Sequence, residues 1–251
     1  NKRGQVGPLG RIRRPLARAF AVKNSRVLEL RHKLLVWSMD AQKNYYAHSR
    51  EGTPPVEWHL LKDHLESTAK LARRFADDFD AGDWTYLTGL WHDLGKYSQE
   101  FQNMLFAANG VDAHIEKLGK VDHSTAGAKH AVATLGDRGK IIAYAIAGHH
   151  AGLVNGEDNK DSCLLSRLKK QIPDYSNGLR ELPSVLNPPE LSFTLDGTIS
   201  NRQFAFRLSV FIRMIFSALV DADFLDTERF MEEGKSSWRE GYPDLRTLNQ
   251  R

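Results

Sequence analysis

From about Tyr45 onward the hydrophobic positions fall at helical steps. After Thr53-Pro54-Pro55, the residues Leu60, Leu61, His64, Leu65, Thr68, Ala69, Leu71, Ala72, Phe75, Ala76 and Phe79 recur three and four apart. That spacing predicts one amphipathic helix, and it puts a histidine on the apolar face. Asp83 is placed to cap a second helix running through Trp91 and ended at the turn residue Gly95, and Ser98 to cap a third reaching about Ala108 before Gly110. A further helix is predicted over 125–135 with Gly136 after it, and another is capped by Asp137 and closed by Gly148. The stretch 172–200, with Pro173, Pro183, Pro188 and Pro189, reads as a long irregular connection that can hold a small hairpin at Asp196-Gly197. Residues 201–226 read as a long, strongly apolar helix. No run alternates convincingly as a buried strand and no repeat is visible, so the expected class is all-α, a helical bundle.

Charge separates the front of the chain from the rest. Residues 1–50 hold twelve Lys and Arg against Glu29 and Asp40, although the whole chain carries only +4. Arg11, Arg13, Arg14 and Arg18, interrupted by Gly and Pro, read equally as a phosphate-contacting arm or as an unstructured leader. The expected organisation is therefore a basic segment, 1–44, and a domain, 45–251. The single cysteine, Cys163, rules out an internal disulfide and a cysteine-based zinc site. A reducing, cytoplasmic location follows as the expectation. No stretch is apolar enough to suggest a membrane partner, and the basic N-terminus is not followed by an apolar signal core.

Ten histidines change the picture more than composition does. His64 sits among leucines, His92-Asp93 ends a predicted helix, His123 precedes one, and His149-His150 follow one. Helix ends project side chains into shared clefts from rigid supports, and imidazoles with carboxylates suit divalent transition metals. A further carboxylate is sought on the last helix. Steps of three, four, seven and eight back from Asp223 meet Val220, Leu219, Phe216 and Ile215, so Asp223 faces the core, where a carboxylate needs a cation. Asp221 shares its side with Ser217 and Arg213 and is the second choice. His32, His48, His59, His114 and His130 are read as packing histidines, and Trp84 and Trp91 as core rather than base-stacking residues. Gly89 to Lys96 is not a phosphate-binding P-loop: five residues separate its glycines and Tyr97 stands where Ser or Thr is required.

Taken together, HDLGKYSQEFQ (92–102), DHSTAGA (122–128), GHHAGL (148–153), SALVDADFLDTE (217–228) and the YAHS around residue 48 resemble the HD phosphohydrolase superfamily. Within it they are most similar to the HD nuclease domain of CRISPR type I interference, of the type I-C kind, over roughly 45–230. The resemblance implies an HD-superfamily helical bundle with two ions sharing Asp93. One ion is held by His64, His92, Asp93 and Asp223, the other by Asp93, His123, His149 and His150. Manganese, nickel, cobalt or iron is expected ahead of zinc or magnesium. Lys96 matches the lysine of the HD-x-GK motif, a fixed cation for phosphate or developing charge, and with Asp93 is the expected catalytic pair. Ser124 is expected to cap the helix after His123.

The activity implied is hydrolysis of DNA phosphodiester bonds, with single-stranded DNA favoured. The implied partners are an ATP-dependent helicase, in a missing part of the chain or a separate subunit, and an RNA-guided surveillance complex. Arg202, Arg207 and Arg213 are candidate backbone contacts. An HD enzyme acting on nucleotides and a catalytically silent HD binding module are the alternatives.

Overall fold

The computed structural model describes residues 44–108, 121–158, 160–182, 200–232, 234, 235 and 238. The arginine-rich stretch 1–43, His32, His114 and the Asp196-Gly197 turn lie outside them. Two short antiparallel strands, β1 (Tyr46–His48) and β2 (His59–Leu60), pair with an irregular register. The helices that follow are α1 (Leu61–Ala76), α2 (Gly82–Trp91), α3 (Gln99–Ala108), α4 (Ser124–Leu135), α5 (Gly139–Gly148), α6 (Leu164–Lys169), α7 (Ser176–Glu181) and α8 (Asn201–Met231). The class is all-α, as the hydrophobic spacing predicts, with a small hairpin added. Strands of three and two residues are too short for alternation to be legible.

The apolar stripe of α1 is buried at Leu61, His64, Leu65, Thr68, Ala69, Ala72 and Ala76. A 3-10 turn, Asp77–Phe79, and Asp80 in the left-handed region (φ 57°) then reverse the chain into α2. Helix α2 is buried nearly all round, as a central helix must be, and Trp84 and Trp91 are core residues. Thr88 Oγ1 donates to Trp84 O at 2.7 Å, so its hydroxyl is satisfied inside the helix. Where α1 and α2 touch, Gly89 lies against Ala69, and a Cβ there would come 2.7 Å from the Ala69 Cα. Two small residues let the helices close up, which brings His64 and His92 together.

Helices α4 and α5 also pack against α2, and α8 packs on α1, α2 and α5. In α8 the buried residues Ile215, Ala218, Leu219, Ala222 and Asp226 follow helical steps, while its first half is largely exposed. Ser200 and Gln203 form a reciprocal cap at its start. Among the described residues no helix is long and apolar enough to cross a membrane.

Several expected caps are corrected. Asp83 pairs with Arg73 instead of capping α2, and Asp137 pairs with Lys140 on the surface while α5 begins at Gly139. Ser124 does not cap α4. Asp122 does, accepting from Thr125 N–H at 3.0 Å, while Ser124 Oγ accepts from Arg167 at 3.2 Å. Ser98 caps α3 as expected, accepting from Phe101 N–H at 3.3 Å. The connection after 172 is interrupted by the short α7.

Candidate metal centre

The candidate ligands enter the site from five supports, with Asp93 beside His92 and His150 beside His149. His64 lies on the buried face of α1, and His92 and His149 follow the last residues of α2 and α5. His123 precedes α4, and Asp223 sits on α8. The HD turn is tied to His123 through Gly95, whose N–H donates to His123 O at 3.1 Å. A Cβ at Gly95 would lie 2.4 Å from that oxygen, so only glycine permits the approach.

Local hydrogen bonds aim the imidazoles. His92 Nδ1 donates to Gly89 O at 2.7 Å, His149 Nδ1 to Ile146 O at 2.6 Å, and His123 Nδ1 to Val121 O at 3.3 Å. In the neutral ring a donating Nδ1 leaves Nε2 as a lone pair, and in all three that atom points to Asp93.

Asp93 is 1% exposed and its two oxygens face opposite ways. Oδ1 lies 3.5 Å from His123 Nε2 and 3.5 Å from His149 Nε2. Oδ2 lies 3.3 Å from His92 Nε2 and 3.6 Å from His64 Nε2. Asp223 Oδ1 closes the second side at 3.3 Å from His64 and 3.6 Å from His92. The result is two groups with metal-ligand spacing: Asp93, His123, His149 and His150, and His64, His92 and Asp223, the latter completed by the other oxygen of Asp93. His150 is exposed, with Nε2 2.8 Å from His123 Nε2. Asp221 is exposed and takes no part, so Asp223 is the aspartate in place.

The donor set fits cations. Asp93 Oδ1 and His149 Nε2 are buried and make no hydrogen bond, and an unsatisfied buried polar atom costs about 1–3 kcal/mol. These two atoms face each other at 3.5 Å, a spacing that a cation between them would satisfy. Imidazole and carboxylate donors without sulfur suit divalent transition metals.

Electrostatics divide the two groups. Burial alone would raise the Asp93 carboxyl, but the Lys96 ammonium and His92 outweigh it and hold it well below the usual carboxylate range. Burial alone would lower His92, yet Asp93 and Asp223 raise it to about 9, and His64 is raised by Asp223, Asp226 and Asp93 in the same way. On the other side, burial pushes His123 down to about 4 and lowers His150 as well. His92 and His64 thus hold protons at neutral pH in the metal-free protein, whereas His123 and His150 present neutral rings.

Lys96 is buried beside Asp93. Its Nζ lies 2.7 Å from Asp93 Oδ2 and donates to Ala47 O at 3.3 Å. Two histidines read as packing border the centre: His48 and His59 gather with His64 into a third cluster. His64 Nδ1 is already engaged with Asp226, and His48 Nε2 lies 3.3 Å from Thr227 Oγ1. His130, partly buried, packs edge-on against Trp91. Asp226 was missed. The steps that single out Asp223 would have reached it, since Ala222, Leu219 and Ile215 lie four, seven and eleven residues before it.

Residues 61–178 match the family model described as HD domain. That span contains every candidate ligand except Asp223. No curated protein matches the chain. Residues 61–178 are thus an HD domain, of the HD phosphohydrolase superfamily, with buried histidine and aspartate groups of the kind a metal-dependent phosphohydrolase requires.

Proposed function

We propose that the chain is a two-ion deoxyribonuclease that cuts single-stranded DNA in CRISPR type I interference, supplied with its strand by an ATP-dependent helicase working with an RNA-guided complex. The observation that carries the two-ion part is the division of Asp93, one oxygen toward His123 and His149 and the other toward His64 and His92. The choice of DNA rests on the extended motifs around 92–102, 122–128, 148–153 and 217–228, which resemble the type I nuclease domain beyond the ligands shared by all HD proteins.

When bound, divalent ions at the two ligand groups would supply polarisation of the phosphoryl group, a more acidic water and neutralisation of the attacking and leaving oxygens. The chain's residues do the holding. His64, His92 and Asp223 would hold one ion and His123, His149 and His150 the other, with Asp93 belonging to both groups. The carbonyls of Gly89, Val121 and Ile146 keep Nε2 atoms turned inward. Lys96 keeps Asp93 ionised from within contact distance, a role for which a buried, fixed ammonium is suited. His150 is the exposed member of its ligand group, which leaves it accessible to an incoming strand.

The test is a substrate panel with the purified chain and Mn²⁺ or Ni²⁺, alongside metal analysis. Cleavage of single-stranded DNA is expected. Turnover of mononucleotides alone would replace the nuclease reading with a nucleotide-directed HD enzyme, and fewer than one ion per chain without any turnover would leave a silent binding module.

A further inference from the structure

Asp226 lies three residues beyond Asp223 on the face of α8 that buries Leu219 and Ala222, and it is 4% exposed. A carboxylate in that position needs a partner to offset its lost hydration. Its Oδ2 lies 2.8 Å from His64 Nδ1, within the range of a charge-assisted hydrogen bond. The other neighbours are more distant, with His59 Nε2 at 3.6 Å from Oδ2 and Arg229 Nη1 at 4.0 Å from Oδ1.

His64 needs this remote partner for a reason of helix geometry. His92 and His149 stand at helix C-termini, where the last carbonyls lack helical N–H partners, so each reaches back three residues for an acceptor. His64 lies inside α1, where the carbonyls are consumed by the helix itself. An acceptor for its Nδ1 has to come from elsewhere, and it comes from 162 residues away.

We propose that Asp226 is a positioning residue for the ion held by His64, His92 and Asp223, fixing His64 with Nε2 toward the ion and strengthening it as a donor. The proposal rests on the two-ion reading above. A carboxylate behind a metal-bound histidine sets its tautomer and basicity, and its loss typically weakens affinity 10–100-fold. The partners of Asp226 among the described residues are His64, His59 and Arg229, none of them in the other ligand group, so its effect is confined to one ion.

The experiment compares the 251-residue chain with Asp226→Asn and Asp226→Ala, titrated with Co²⁺ and followed by calorimetry and by the visible absorption of the bound ion. Asp226→Asn keeps shape and an acceptor, and melting of the metal-free form reports its folding. The expected result is a loss of about 10–100-fold in the affinity of one ion, an altered spectrum for that ion, at least as large a loss in Asp226→Ala, and an unchanged second ion. Wild-type affinity for both ions in both variants would overturn the proposal. So would equal weakening of both ions together with a lowered melting temperature of the metal-free Asn variant, which marks a structural role. A wild-type chain that binds two ions but cuts no DNA ends the nuclease reading and leaves the Asp226 result standing, whereas a wild-type chain that binds none ends both.

Discussion

Removing Asp93 tests the centre most directly, because the residue serves two roles that can be separated. Asp93→Ala deletes the carboxylate shared by the two ligand groups, and it also strands the Lys96 ammonium, buried at 3% exposure and 2.7 Å from Asp93 Oδ2. At an effective dielectric of about 20, unit charges at that separation attract by about 6 kcal/mol. Breaking a buried pair by removing one partner costs about 3–5 kcal/mol once the surroundings relax. For a unit of this size that corresponds to a fall of about 6–20 °C in the melting temperature of the metal-free chain. Replacing Lys96 as well, in Asp93→Ala/Lys96→Met, takes away the stranded charge and is expected to recover most of the lost stability. It is not expected to recover ion binding or cleavage, since the bridge is still missing. Thermal melting, metal analysis and a strand-cleavage assay on the two single variants and the double variant form a double-mutant cycle. A double variant that regains both ions, or a single Asp93→Ala chain that never loses them, would refute the assignment of Asp93 as the bridge.

The two ligand groups should respond to pH differently. His92, raised to about 9 by Asp93 and Asp223 against the effect of burial, holds its proton at neutral pH in the metal-free chain. An ion entering that group must displace it, and affinity should rise about tenfold per pH unit up to about pH 9 for each proton released. His123, lowered to about 4 by burial, and His150, lowered likewise, are already neutral and release no proton, so the ion beside them should show a shallower rise in affinity with pH than the ion beside His92. Calorimetry in buffers of different ionisation enthalpy counts the protons, and identical pH slopes for both ions would contradict the division. Asp223→Ala is expected to lose one ion and most cleavage, while Asp221→Ala, altering an exposed side chain, changes neither. The reverse outcome would move the ligand to Asp221. Gly89→Ala inserts a Cβ 2.7 Å from the Ala69 Cα, and overpacking of this kind costs about 1–3 kcal/mol. It should lower the melting temperature by several degrees and weaken the ion between His64 and His92. A wild-type melting curve would show that α1 and α2 can spread without cost.

The amino-acid sequence by itself determined the helical class, the apolar stripe carrying His64, and the inward direction of Asp223. Each follows from the 3.6-residue period, a property of neighbouring residues that needs no tertiary information. The same period reaches Asp226, whose burial was therefore legible although its partner was not. Tertiary structure alone decided who meets whom. Asp83 and Asp137 have the chemistry of helix caps, but Arg73 and Lys140 offered a charged partner and took them. His48 and His59, indistinguishable in sequence from packing histidines, reach His64 because the pairing of β1 with β2 carries them there. His92-Asp93 marks a candidate site in one dimension. Only packing turns Oδ1 of Asp93 toward His123 and His149 and Oδ2 toward His64, because those residues approach from helices that contact one another solely in the folded chain.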